Sequence, residues 1–154
     1  MVIDTQTRTT STIPCGGGGG TKWCGIAAVG TKLYCAPWQA SSVLEIDAET
    51  FTTSLIPCGG DGGSKWFGIA AVGSKLYCAP HDASSVLVID ANTQETSLIP
   101  CGVPGTQKYD GIAAVGNKLY CAPACASAVL VIDAETERTS TITCDATGGY
   151  KWYG

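Results

Sequence analysis

One histidine, His81, one methionine, two phenylalanines and nine basic residues are all that this 154-residue chain holds of those types. Nine Lys and Arg against thirteen Asp and Glu give a net charge of −4. That balance argues against a nucleic-acid partner, because backbone binding is driven by basic side chains that release phosphate counterions. A single histidine cannot build a repeated imidazole set, and the nine cysteines include no CxxC pair, so no metal and no cofactor is expected. No run of about 18 apolar residues is present, which removes a spanning helix and with it the expectation of a membrane partner. The opening MVIDTQTRTT lacks the charged-then-apolar order of a signal peptide. An odd cysteine count without an export signal suggests reduced thiols and an intracellular setting, although the sequence names no compartment. Charged residues make up only 14%, whereas hydrophobic ones reach 45%, enough for a packed core and too many for a disordered chain.

What the chain has instead is repetition, with a period of 43 residues. KWCGIAAVGTKLYCAPWQASSVLEIDAETFTTSLIPCGGDGGS runs from Lys22, a second copy from Lys65, and a third from Lys108. Residues 2–21 match the second half of a unit, and KWYG at 151–154 opens another. No stretch shows a helical period of useful length. Each unit reads as four short strands: GIAAVG, ended by a Gly-x-Lys turn; KLYCA, stopped by Pro; SSVLVID, β-branched and apolar; and the more polar TTSLIP. Asp47, Asp90 and Asp133, with Asp4 in the partial unit, suit the hairpin turn after the third strand better than a shared calcium ion. Four strands every 43 residues is the pattern of a β-propeller blade, a sheet too small to bury both faces alone.

The order GIAAVG-x-KLYCAP, SSVLVIDAET, TSLIPCG resembles the YVTN-type repeat of β-propellers, of the NHL and YncE-like kind, over three complete units and both chain ends. The chain departs from that pattern at Pro37, Pro80 and Pro123, where the family has Asn, and in carrying Cys where the family usually has Val. The resemblance implies an all-β fold of four-stranded antiparallel blades and little about activity, since propellers host many functions. The expected organisation is a half-blade of third and fourth strands at 1–21, blades at 22–64, 65–107 and 108–150, and the start of a further blade at 151–154.

Known propellers close with four to eight blades, so three blades and a half leave an apolar blade face in water. The simplest expectation is closure by a second copy, as a homodimer. Both half-blades being of the same kind favours an eight-position ring with two incomplete blades over a rearranged seven-position one. The alternative is that these residues are a piece of a longer propeller. The repeated cysteines, Cys15, Cys58, Cys101 and Cys144 after the fourth strand and Cys35, Cys78 and Cys121 in the second, read as small apolar fillers.

The units differ at Trp38-Gln39, His81-Asp82 and Ala124-Cys125, at Cys24, Phe67, Asp110 and Tyr153, and in the Gly-rich connectors. Strand direction alternates within a blade, so all these positions fall on one rim, either turns that drift because little constrains them or a loop face fitted to binding a ligand or a protein. On that face Lys22, Lys65 and Lys108 precede Trp23, Trp66 and Tyr109. These aromatics are expected to pack over blade junctions. The alternative is a ring of lysines and aromatics lining the central opening for a small anionic or carbohydrate ligand. His81 with Asp82 is the one acid–base pair, but no nucleophile motif accompanies it. The first strands offer no His or Glu ring, which favours a non-catalytic binding module over a propeller enzyme with a site in the central opening. Glu45 stands where the other units have Val88 and Val131, and is expected to sit in a wetter position, poorly covered by the half-blade.

Overall fold

The computed structural model describes residues 1–15, 19–59 and 63–144; Lys151, Trp152, Tyr153 and parts of the Gly-rich connectors lie outside them. A two-stranded hairpin, β1 (Val2–Asp4) and β2 (Thr9–Ser11), precedes three four-stranded antiparallel meanders. Blade 1 is β3 (Trp23–Val29), β4 (Lys32–Pro37), β5 (Ser42–Asp47) and β6 (Thr52–Pro57). Blade 2 is β7 (Trp66–Val72), β8 (Lys75–Pro80), β9 (Ser85–Asp90) and β10 (Thr96–Pro100). Blade 3 is β11 (Tyr109–Val115), β12 (Lys118–Pro123), β13 (Ala128–Asp133) and β14 (Arg138–Thr143). The fold is therefore the expected all-β stack of propeller blades, with no helix among the described residues.

Turn chemistry repeats with the sequence. The Asp47 carboxylate accepts hydrogen bonds from the amides of Glu49 and Thr50, and Asp4, Asp90 and Asp133 do the same two and three residues on. Amide donors stabilise the ionised form, so the carboxyls of Asp4 and Asp47 lie below the usual range, and Asp133, also bonded by Lys118, falls to about 2. These aspartates are turn formers, as the spacing suggests. The bend closes with Arg8, Phe51, Gln94 and Glu137 in the left-handed region, at φ of 53° to 58°.

Alternate residues of each strand face opposite neighbours, which sorts the apolar positions into two junctions. Tyr34, Ala36, Val43 and Ile56 of blade 1 meet Trp66, Ile69, Leu76, Cys78, Leu87 and Ile89 of blade 2. One unit further on, Tyr77, Ala79, Val86, Val88 and Ile99 meet Tyr109, Leu119, Cys121, Leu130 and Ile132. Trp66 and Tyr109, which open the first strands of blades 2 and 3, are thus junction core. Tyr109 is wholly buried, and Trp66 and Trp23 each donate an indole N–H to the third strand of their own blade, at Ser85 O and Ser42 O, both 2.8 Å. Cys78, Cys101 and Cys121 are buried free thiols that fill this core, and Cys35 is buried outside it, whereas Cys58 and Cys144 are half-buried and Cys15 is exposed.

Glu45 departs from expectation. It points at blade 2, not at the half-blade, and is only 5% exposed. Lys32 Nζ donates to its Oε1 at 2.8 Å, Ser54 Oγ at 3.1 Å, and Gln94 Nε2, from the neighbouring blade, reaches Oε2 at 3.1 Å. Burial alone would raise its pKa, but these donors and the nearby Tyr34 hydroxyl hold it below the normal value. The carboxylate is tolerated because it is paired, not because it is wet. The Tyr34 hydroxyl, buried without a partner in good hydrogen-bond geometry, is pushed up to about 12 by desolvation and then by that carboxylate.

Candidate functional site on the loop face

The innermost strands β3, β7 and β11 lie side by side. Each carries a bulge in its pairing with the next strand, between Cys24 and Ile26, Trp66 and Ile69, and Tyr109 and Ile112. The glycines there are required by close approach. A Cβ on Gly68 would stand 2.5 Å from Asp110 O, and one on Gly25, which also has a φ of 59°, would stand 2.7 Å from Phe67 O. A bulge re-aims the residues beside it, and those residues are Cys24, Phe67 and Asp110, three of the positions at which the units disagree.

The connection after the second strand is held by a lysine clamp. The carbonyl of Lys65 accepts the amides of His81 and Ala83 at 2.9 and 3.2 Å, and that of Lys22 accepts Trp38, Gln39 and Ala40 at 2.9 to 3.2 Å. The next blade grips the same connection from its other side: Lys65 N donates to Trp38 O and Lys108 N to His81 O, each at 3.0 Å. The ammonium groups follow the backbone. Lys65 Nζ donates to Ala40 O at 2.9 Å, and Lys108 Nζ to Ala83, Gly105 and His81 carbonyls at 2.8, 3.0 and 3.1 Å. Lys108 is 2% exposed, and burial lowers its pKa. The Lys65 and Lys108 ammonium groups and the Trp66 and Tyr109 rings therefore hold blade junctions together. They do not form the ring of cations and aromatics around a central opening that the sequence offered as an alternative.

Clamping brings the variable side chains together across all three blades. The ring of Trp38, from blade 1, lies 4.6 Å from His81 and 5.2 Å, edge-on, from Phe67, both of blade 2. His81 Nδ1 is 3.0 Å from Asp82 Oδ1, and its Nε2 is 3.6 Å from Asp110 Oδ1 of blade 3. Asp82 Oδ1 also accepts the Gln107 amide at 2.7 Å, which fixes the connector leading into blade 3. Asp110 is buried, with no hydrogen-bond partner on Oδ1. Desolvation raises its pKa and the facing His81 partly offsets this, while burial and then the Asp110 charge raise that of Cys24.

Of the candidate residues, Trp38, His81, Asp82 and Asp110 thus form one cluster. Gln39 is exposed and, with Lys22, Trp23 and Ser42, borders a separate cavity of about 530 Å3 toward the N-terminal hairpin. Ala124 is fully buried, and Cys125 turns toward Gln107. Phe67 and Cys24 were visible in the sequence as variable positions, but their place beside His81 and Asp110 follows from the bulge, which the apolar run GIAAVG does not reveal.

No protein family and no curated protein matches the sequence. Among solved structures, virginiamycin B lyase from Staphylococcus aureus superimposes with a TM-score of 0.70 at 12% identity, over 84% of this chain and 44% of that one. The WD40 repeats of RRP9 give 0.64 at 14% identity, over 82% and 41%. A computationally designed protein, Ika4, gives 0.63 at 13% identity, over 92% of this chain and 84% of that one. These likenesses show the β-propeller fold. The chain spans under half the length of the lyase and of the RRP9 repeats.

Proposed function

We propose that this propeller repeat unit is a non-catalytic binding module, whose ring is completed by self-association and whose loop face takes a ligand or a protein loop. The observation that supports this is convergence: the blades share their junction residues, and the side chains that differ among them, Trp38, Phe67, His81, Asp82 and Asp110, meet on one face. A uniform scaffold with one diversified face is the arrangement by which loops acquire recognition. The ligand expected is neutral and rich in hydroxyl groups, such as a carbohydrate, because the Lys65 and Lys108 ammonium groups bond to backbone carbonyls while the cluster offers the Trp38 ring and the partly exposed Asp82 carboxylate. A protein loop of similar polarity would fit the same face.

His81 between two carboxylates is the observation that speaks for the enzyme reading. A general acid or base must reach the atom it protonates, yet the side chains of His81 and Asp110 are 8% and 4% exposed, and Trp38 and Phe67 pack beside the imidazole. Sealing of that kind favours a structural pair. Thermal-shift screening with glycans and with small anions tests the reading: stabilisation by a glycan class that Trp38→Ala abolishes is expected, and no shift with any class sinks it.

A further inference from the structure

Each junction of this chain contains its own internal control. Ile56, Ile99 and Ile142 occupy the same place in the fourth strand of successive blades, yet they are 3%, 6% and 52% exposed. Tyr34 and Tyr77 are sealed, while their equivalent Tyr120 is half-buried and lines an apolar hollow of about 340 Å3 with Cys121, Ala122, Pro123, Val129 and Cys144. The same holds at the other end of the chain, on the blade face that looks backwards. Ile69 is 8% exposed but its equivalent Ile26 is 57%, because the hairpin β1–β2 covers only part of blade 1 and leaves a cavity of about 270 Å3 among Val2, Ile13, Ile26, Leu33, Leu44 and Ile46. Of the eight large exposed hydrophobics among the described residues, Met1, Ile3 and Ile26 lie at this head and Val115 and Ile142 at the tail.

We infer that the tail face of blade 3 docks on the head of a second copy of this same chain, carrying that copy's N-terminal hairpin, and that two such head-to-tail seams close one ring. This rests on the reading that the ring is completed by self-association, and adds the partner surface and its direction. Three observations select a second copy as the occupant. The tail face repeats the residues that blades 1 and 2 already bury against the following blade, so the surface it fits is the backward side of another unit of this repeat. The chain's one incompletely covered backward side is at its head, where the exposed side chains are again aliphatic. Finally, the chain matches 44% of the length of the lyase, so two copies of the matched region come close to one whole chain of that propeller. A head-to-tail contact that closes after two copies leaves neither apolar end in water, whereas one that fails to close would run on as a fibre.

The experiment is the mass of the full 154-residue chain in solution without ligand, by sedimentation or light scattering, for wild type, Ile142→Arg and Ile3→Arg. Both substituted side chains are exposed in the single chain, so folding is retained and is checked by circular dichroism. The expected result is a species of twice 15.8 kDa for wild type and single chains for each variant, whose pairing weakens on the order of 100-fold when a guanidinium is buried without a partner. A monomeric wild type, as when further blades of a longer chain cover the tail, overturns the proposal. So does an Ile3→Arg variant that still pairs, since that is tail-to-tail docking, or a species larger than two chains. None of these readings depends on a ligand, so a failed ligand screen and a failed seam are separate outcomes.

Discussion

Replacing Lys108 by Met keeps the length of the side chain and removes every donor, which makes it the sharpest test of the lysine clamp. The wild-type ammonium serves three carbonyls, of Ala83, Gly105 and His81, from a site 2% exposed. Hydrogen bonds to charged groups contribute about 1.5–3 kcal/mol each, but removing the ammonium also recovers the several kcal/mol spent in desolvating it. The remainder is a loss of about 2–3 kcal/mol, or roughly 5–10 °C in melting temperature for a chain of this size. Lys65, less buried, also donates to a carbonyl of the preceding blade's loop, Ala40 O, and Lys65→Met is expected to destabilise in the same direction. Urea unfolding followed by tryptophan fluorescence measures both. Burial lowers the folded-state pKa of Lys108 below 10.5, so in the window between those values the unfolded chain binds the extra proton and the stability due to this group rises with pH. The gap between wild type and Lys108→Met therefore widens as pH increases through that window. A Met variant within about 0.5 kcal/mol of wild type would refute the clamp, since so small a change is ordinary for a surface substitution.

Gly68→Ala forces a Cβ to 2.5 Å from Asp110 O and is expected to cost more than about 2 kcal/mol by prising β7 from β11; Gly73→Ala, strained at a φ of 61° but facing open space, is the milder comparison in the same unfolding assay. Glu45→Val installs the residue found at Val88 and Val131, and at pH 7 stability should change by no more than about 1 kcal/mol, because a buried ion pair roughly breaks even with an apolar isostere. The folded-state pKa of Glu45 lies below 4.5, so its contribution is complete above that value and lost as pH falls through the folded one; acid titration should show a shallower loss in the variant, and an unchanged slope would count against the pairing described. Tyr109→Phe removes a buried hydroxyl that has no partner and should be neutral or stabilising by up to about 1 kcal/mol, whereas Trp66→Phe, which loses the bond to Ser85 O, should destabilise; calorimetry on the pair checks the contrast.

The repeat period made the strand order, the turn aspartates and the alternation of apolar faces legible, because each is written three times and each depends on local spacing. The convergence of Trp38 with His81 was legible only as a shared rim. Contact between the two follows from the lysine clamp, and the bulge at Phe67-Gly68, inside an apolar run that reads as uniform strand, sets Phe67 beside them. Strand patterning shows a side chain's face but not its polar partners: Lys32 and Ser54 of the same blade and Gln94 of the next surround Glu45, and the Lys65 and Lys108 ammonium groups lie on carbonyls of the preceding blade's loop.

Junctions built from the same residues also constrain how such a chain can change. Since the clamp and the apolar facing are both relations between one unit and the next, insertion or loss of a whole 43-residue unit alters the number of couplings and leaves each coupling intact. Stability should then grow in near-equal steps with unit number, as in a one-dimensional chain of coupled sites. The same sameness is a hazard during folding, because the forward face of any blade fits the backward face of any other, and a chain emerging in sequence order can join the wrong neighbours in the right geometry.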